Sequence, residues 1–160
     1  MREVALVYII TLSLVGFFGC KDISDIKDQD IPFKKISSSY SGIEFSNTIT
    51  PNLENYENLF DYDYFYNGSG VGIADINNDG LQDILFTANQ KDNKLYLNKG
   101  DLKFEDITSN SGINENKGWA SGITFVDINA DGWLDIYISQ GGPYNPSSRE
   151  NVLLINNKDL

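Results

Sequence analysis

The sequence predicts an all-β chain whose antiparallel strands fall into two consecutive units, and three observations carry that prediction. Asp75 to Ile84 reads DINNDGLQDI and Asp127 to Ile136 reads DINADGWLDI, so one loop occurs twice at a spacing of 52 residues. The flanks repeat with it: GSGVGIAD precedes the first copy and ASGITFVD the second, and NKLYLN at Asn93 to Asn98 matches NVLLIN at Asn151 to Asn156. Each loop runs into an apolar stretch, ILFTA or IYIS, rich enough in β-branched and aromatic residues to read as a buried strand. A period near fifty with several short strands marks a propeller blade or a solenoid coil, and four strands per unit is the blade count. The expectation is a partial β-propeller of about two blades at 33–160, with units at about 64–112 and 113–160.

The N-terminus addresses location. Arg2 is followed by an apolar stretch from Val4 to Gly19, too short and too soon interrupted for a membrane span, which ends at Cys20, the only cysteine. That is the shape of a lipoprotein signal: residues 1–19 as signal peptide, Cys20 lipidated, and 20–32 (KDISDIKDQD at its centre) as a charged, flexible tether. Phe17 and Phe18 replace the usual Leu-Ser/Ala pair, and Glu3 stands where positive charge is the rule; the alternative is an uncleaved signal or anchor helix. The expected location is extracytoplasmic, lipid-anchored to a bacterial outer membrane. The Lys21-Asp22 start resembles surface-export signals of such lipoproteins. With Cys20 lipidated no thiol remains, so rigidity must come from sheet packing and bound metal rather than disulfides.

Further along, Phe33 to Ile43 (FKKISSSYSGI) echoes Phe104 to Ile113 (FEDITSNSGI) and reads as an outer strand of a blade. Strands are expected at about 71–75, 84–88, 94–97 and 103–107, then at about 119–127, 135–139 and 151–155. The second unit reaches NNKDL at Leu160 where its own outer strand should begin, so the chain reads as an N-terminal fragment of a longer protein. Two half-built blades would leave sheet edges and an apolar face open to association.

The loops carry the chemistry. Asp75, Asn77, Asp79 and Asp83, and again Asp127, Asn129, Asp131 and Asp135, place oxygen ligands at positions one, three, five and nine. A hard cation that takes about six to eight oxygens needs such a set, and Leu81 or Trp133 would add a backbone carbonyl at position seven. Gly80 and Gly132 stand where the chain must turn sharply around the ion. An EF-hand begins in the same way but closes with a carboxylate at position twelve and enters a helix, whereas position twelve here is Phe86 or Ile138. An Asx-rich turn without metal accounts for any one such loop; two copies with a fourth Asp at the same offset point to two calcium sites.

Together, GVGIADINNDGLQDILFTANQ, NKLYLNKGDLKFEDIT, WASGITFVDINADGWLDIYIS and NVLLIN resemble the FG-GAP/VCBS repeats of the integrin-α-like β-propeller, and in particular bacterial relatives of cartilage acidic protein of the ASPIC/UnbV type. The resemblance covers most of residues 64–160. It implies calcium at the ten loop positions named above, and it supplies no catalytic residue.

Composition excludes more than it assigns. The chain has no histidine, which removes Ser-His-Asp and Cys-His nucleophile systems and most zinc sites. A net charge of −11 repels phosphate backbones and argues against nucleic acid. GSGVG at 68–72 lacks the strand and helix of a phosphate cradle and reads as a turn, as does the formal sequon Asn67-Gly68-Ser69. Glu105, Asp106, Asp61 and Asp63 show no spacing that singles out a catalytic pair. Tyr62, Tyr64, Phe65 and Tyr66 have faces that could stack sugars, but fit strand core at the start of a blade better, and Trp119 and Trp133 fit blade packing. The function expected is a calcium-binding lipoprotein propeller acting as a binding, adhesion or scaffold module. Its ligand would be a protein or glycan, and the remaining blades of a parent protein would be further partners. The rival is an extracytoplasmic enzyme acting on a polymer, with catalytic groups elsewhere and these blades as scaffold.

Overall fold

Among the described residues seven strands pair in the order in which they occur, as the repeat demands. The structure is a computed structural model that describes residues 32–113, 118–143 and 149–159. Of a first compact unit, Met1–Lys35, only residues 32–35 are described; the second, Ile36–Leu160, holds every element among the described residues. The signal segment, Cys20 and most of the tether lie outside the described residues; among the described residues no helix is long and apolar enough to cross a membrane.

The first sheet is a four-stranded antiparallel meander of β1 (Val71–Ala74), β2 (Asp83–Phe86), β3 (Lys94–Asn98) and β4 (Phe104–Asp106). The second is three-stranded, with β5 (Trp119–Val126), β6 (Asp135–Gly141) and β7 (Val152–Leu154), and β5 carries a register shift between Ala120 and Gly122. The seven strands expected between residues 71 and 155 are each present within a few residues. Two meanders that stack face to face, with β1 beside β5, have the arrangement of neighbouring propeller blades.

Alternation along the strands decides which residues meet. From the first sheet Ala74, Leu85, Leu95 and Leu97 are buried, and from the second Ile136, Ile138 and Val152, with Ile123, Phe125 and Leu154 packed against them. Ile76 and Ile113 arrive from loops to fill the same layer. The inner strands come close because β1 has a glycine at the contact: a Cβ on Gly72 would fall 2.6 Å from Phe125 Cε2 and 3.0 Å from Ile123 Cγ2. Polar bonds stitch the same seam, where the Ala120 carbonyl accepts from Ser69 Oγ at 2.6 Å and from Asn89 Nδ2 at 3.1 Å.

Residues 33–43 differ from expectation. Instead of a strand they hold a helical turn, α1 (Ser38–Ser41), because Ser37 Oγ accepts from Tyr40 N and Gly42 closes the turn in the left-handed region at φ 77°. The echo of FEDITSNSGI is nonetheless structural. A 3-10 turn at Thr108–Asn110 leads to Gly112 at φ 71°, and Ser111 Oγ accepts from Ile113 N as Ser41 Oγ accepts from Ile43 N. The repeated phrase is a connector that delivers an isoleucine to the next sheet. Beyond it a strap crosses the far face of the first sheet: Phe45 stacks on Phe86 at 4.7 Å, and Glu44 N donates to Tyr96 Oη.

The aromatic run at 62–66 is also not a strand but a series of turns ahead of β1. Phe65 is buried against Trp119, and Tyr62 meets the same indole edge-on, while Tyr64 and Tyr66 stay exposed. Trp133 is half-buried in its loop and is no part of the core.

Two expectations follow. Gly72→Ala forces the seam apart and costs about 1–3 kcal/mol as overpacking, read as a lower melting temperature. Asp106, beside Lys94 Nζ at 2.7 Å, gives the second. Burial works against its carboxylate, but hydrogen bonds from Lys94 and Thr108 outweigh it and hold the pKa below the ordinary value. The stabilisation is therefore present above the unfolded carboxylate pKa and lost as pH falls through the depressed folded one. For so exposed a pair Asp106→Asn should cost under about 1 kcal/mol at neutral pH and flatten that acid-side loss, measured from denaturant midpoints across pH.

Candidate functional site

Each loop joins the first two strands of its sheet: residues 75–82 link β1 to β2, and residues 127–134 link β5 to β6. The left-handed steps fall where the motif puts them, at Asn78 and Gly80 (φ 57° and 85°) and at Ala130 and Gly132 (φ 58° and 86°). A side chain at the glycine position would be strained, which is why the motif keeps glycine there.

The two loops then make the same bonds, atom for atom. Asp75 Oδ1 accepts from Asp79 N at 3.1 Å and Oδ2 from Gly80 N at 2.8 Å; Asp127 accepts from Asp131 N at 3.0 Å and Gly132 N at 2.9 Å. Asn77 and Asn129 each accept from the N–H two residues on and donate to the next Asp. Asp79 and Asp131 accept from the N–H of Leu81 and Trp133, at 2.8 and 3.0 Å. Side-chain oxygens at positions one, three and five thus wrap the turn by accepting from its N–H groups, while the asparagine amides brace the next aspartate.

Asp83 and Asp135, at the ninth position, sit where each loop enters its second strand. They are the first residues of β2 and β6 and are fully buried. One oxygen of each reaches back into the loop, to Ile76 N at 3.0 Å or Ile128 N at 3.1 Å. The other crosses to the third strand's end, to Asn98 N or Asn156 N, both at 2.8 Å. Burial pushes the Asp83 carboxyl above the ordinary carboxylate value; the two N–H donors pull the other way, and the charges of Asp79 and Asp75 add to the rise. Asp131 is held below the ordinary value, chiefly by the Trp133 N–H and also by Lys158, whose Nζ lies 3.1 Å away.

Among the described residues no group of three or more His, Cys, Asp or Glu side chains is gathered as a metal cluster. The donors each loop offers are carboxylate, amide and carbonyl oxygens, a set that matches a hard cation in kind.

Sequence reasoning matched NKLYLN to NVLLIN without seeing what the asparagines do. Asn93 and Asn151 cap the returns from the second strands, accepting from Ala88 N and Gln140 N. Asn98 and Asn156 hold the buried aspartates, and Asn156 Nδ2 also reaches across to the Ile76 carbonyl of the other sheet at 2.8 Å. The loops touch one another as well, through Asn78 Nδ2 and the Gly132 carbonyl at 3.1 Å. The other carboxylates singled out in the sequence do not converge: Glu105 and Asp106 lie on the β4 edge beside Lys99 and Lys94, and Asp61 accepts from Asn58.

Fold and loops together define a blade-type β-repeat with the same Asx-rich turn between the first two strands of each unit. Residues 75–138, which take in both loops and the strands between them, match the model of the FG-GAP-like repeat family. The chain is also similar to cartilage acidic protein 1 of Xenopus tropicalis, 35% identical over 78 residues. That match takes in 48% of this chain and 12% of the length of that protein. No solved structure matches.

Replacing Asp83 or Asp135 by Asn turns an amide NH₂ toward a backbone N–H and orphans one buried donor. Each change should cost about 1–3 kcal/mol in chelator, measured by denaturant unfolding, and more than Asp75→Asn in the exposed part of the loop.

Proposed function

We propose that this chain is a calcium-stabilised, lipid-anchored propeller module that binds or scaffolds outside the cytoplasm. One observation carries the calcium reading: two loops 52 residues apart repeat the same oxygen positions and the same hydrogen bonds. Asp75, Asn77, Asp79, the Leu81 carbonyl and Asp83 would hold one ion; Asp127, Asn129, Asp131, the Trp133 carbonyl and Asp135 would hold the other. When bound, calcium supplies positive charge and multidentate oxygen coordination, which removes the repulsion that Asp83 feels from Asp75 and Asp79. The role is structural: it fixes the turn and thereby the relation of the first two strands. Calcium at roughly millimolar levels outside the cell suits loops of the extracellular affinity class, about 10⁻⁴ to 10⁻³ M.

Anchoring through Cys20 rests on the apolar stretch that ends there, and places the module on a bacterial outer membrane. A protein or glycan ligand would use the edge away from the calcium loops. Tyr64 and Tyr66 stand exposed there beside Tyr62 and Phe65, whose rings meet Trp119, and Trp119 pairs with Gly141, where the insertion that the first unit lacks begins.

Calcium titration by calorimetry on the protein, beside an Asp79→Ala and Asp131→Ala double variant, tests the metal sites. Two sites in the parent and none in the variant are expected. A parent that binds no calcium, with native circular dichroism, would overturn the reading.

A further inference from the structure

The two loops share their internal hydrogen bonds but not their surroundings. The fifth-position aspartates, Asp79 and Asp131, each accept at Oδ1 from the N–H two residues on and at Oδ2 from the amide of the third-position asparagine. Asp131 Oδ2 has one partner more, the Lys158 ammonium at 3.1 Å. Among the described residues no lysine or arginine forms such a pair with Asp79.

The difference comes from one residue in the turn after the third strand. NKGDL at Asn98 to Leu102 and NNKDL at Asn156 to Leu160 correspond at an offset of 58, which aligns Gly100 with Lys158. Both take the left-handed region, at φ 82° and 68°, and both donate their N–H to the asparagine two residues before, at 2.9 Å. In the first unit this turn runs on into β4, so the backbone that carries Lys158 has the conformation of a complete hairpin. Asn156 ties the turn to the loop it faces, with its N–H on Asp135 and its side-chain amide on the Leu134 carbonyl. Glycine suits such a backbone and lysine is an uncommon occupant of it. The second unit has the less suitable residue and with it a positive charge on a loop oxygen.

We propose that Lys158 is an internal cation that competes for the second loop, so that the two calcium sites differ in affinity and the first loop fills before the second. The inference rests on the calcium reading above and deepens it. A cation held by Asp127, Asn129, Asp131 and Asp135 must share Asp131 with the ammonium or expel it. Either way affinity falls, because like charges repel at short range and an ion pair is given up. The first loop has no such competitor. The second loop therefore fills over a higher calcium range, and the turn between β5 and β6 responds to changes that leave the turn between β1 and β2 saturated.

The test is calorimetry with calcium chloride on the full chain, one loop at a time. Asp131→Ala leaves the first loop and Asp79→Ala the second, and the second should bind about three- to tenfold more weakly. Lys158→Met keeps the stem and removes the charge: added to Asp79→Ala it should close most of that gap, and added to Asp131→Ala it should change nothing. Gly100→Lys transplants the ammonium to a position where a Cβ meets nothing within 4 Å, and added to Asp131→Ala it should weaken the first loop. Rising ionic strength should narrow the gap between the loops, because a partly exposed charge is screened, whereas a purely structural role for Lys158 would leave it unmoved. If Lys158→Met leaves the second loop's affinity where it was, with native circular dichroism, the proposal is overturned and the calcium reading stands. If neither the parent nor any variant binds calcium, both are overturned. Should Gly100→Lys lose its fold, the Lys158→Met comparison decides alone.

Discussion

The buried aspartate at the start of each second strand is the constraint on which the rest of each unit hangs. Asp83 receives the Ile76 N–H from the loop and the Asn98 N–H from the third strand, and Asp135 does the same with Ile128 and Asn156. A single carboxylate thus ties together the turn, the strand that follows it and the strand after that. Its burial is tolerable only because both oxygens are matched by donors; a buried carboxylate without them would be far costlier. The bond to Ile76 has a further effect. It places that residue where its side chain joins the layer between the sheets, so the loop's geometry and the core's packing are set by the same contact.

Much of this was legible because the information is local and repeated. The loop motif specifies its dihedrals through glycine and its hydrogen bonds through Asp and Asn, and the apolar runs after it specify strands; neither depends on distant residues. The 52-residue period did the rest, since a repeat that cannot bury its face alone must stack. What was not legible depends on partners. An aspartate at position nine does not announce in sequence which backbone donors it will accept, and only the third strand's return brings the Asn98 N–H to Asp83. The phrase FKKISSSYSGI repeats a strand, a turn and an isoleucine together, so its echo identified a shared connector while leaving open which part would be extended. Side-chain capping by Ser37 and a left-handed Gly42 settled the middle of it as a helical turn.

The aromatic run at 62–66 illustrates the same limit. Four aromatics in five residues satisfy strand propensity, but one of them, Phe65, finds Trp119 from a turn, and its neighbours are left at the surface. Propensity for strands is largely a preference for a half-buried, packed environment, and a turn that packs one ring supplies that environment without pairing the backbone.

The meander itself has a kinetic side. Each strand bonds to the one before it in the chain, so most pairings in a sheet close over a single loop, and the joining of β1 to β5 is the step that must wait for both sheets. Contacts of short sequence separation cost little loop entropy to form, and chains rich in them fold faster than barrels or sandwiches that interleave distant strands. Either sheet can therefore nucleate on its own hairpins, with the glycine-lined seam closing last. The slow, entropy-laden part of building this architecture is confined to one interface.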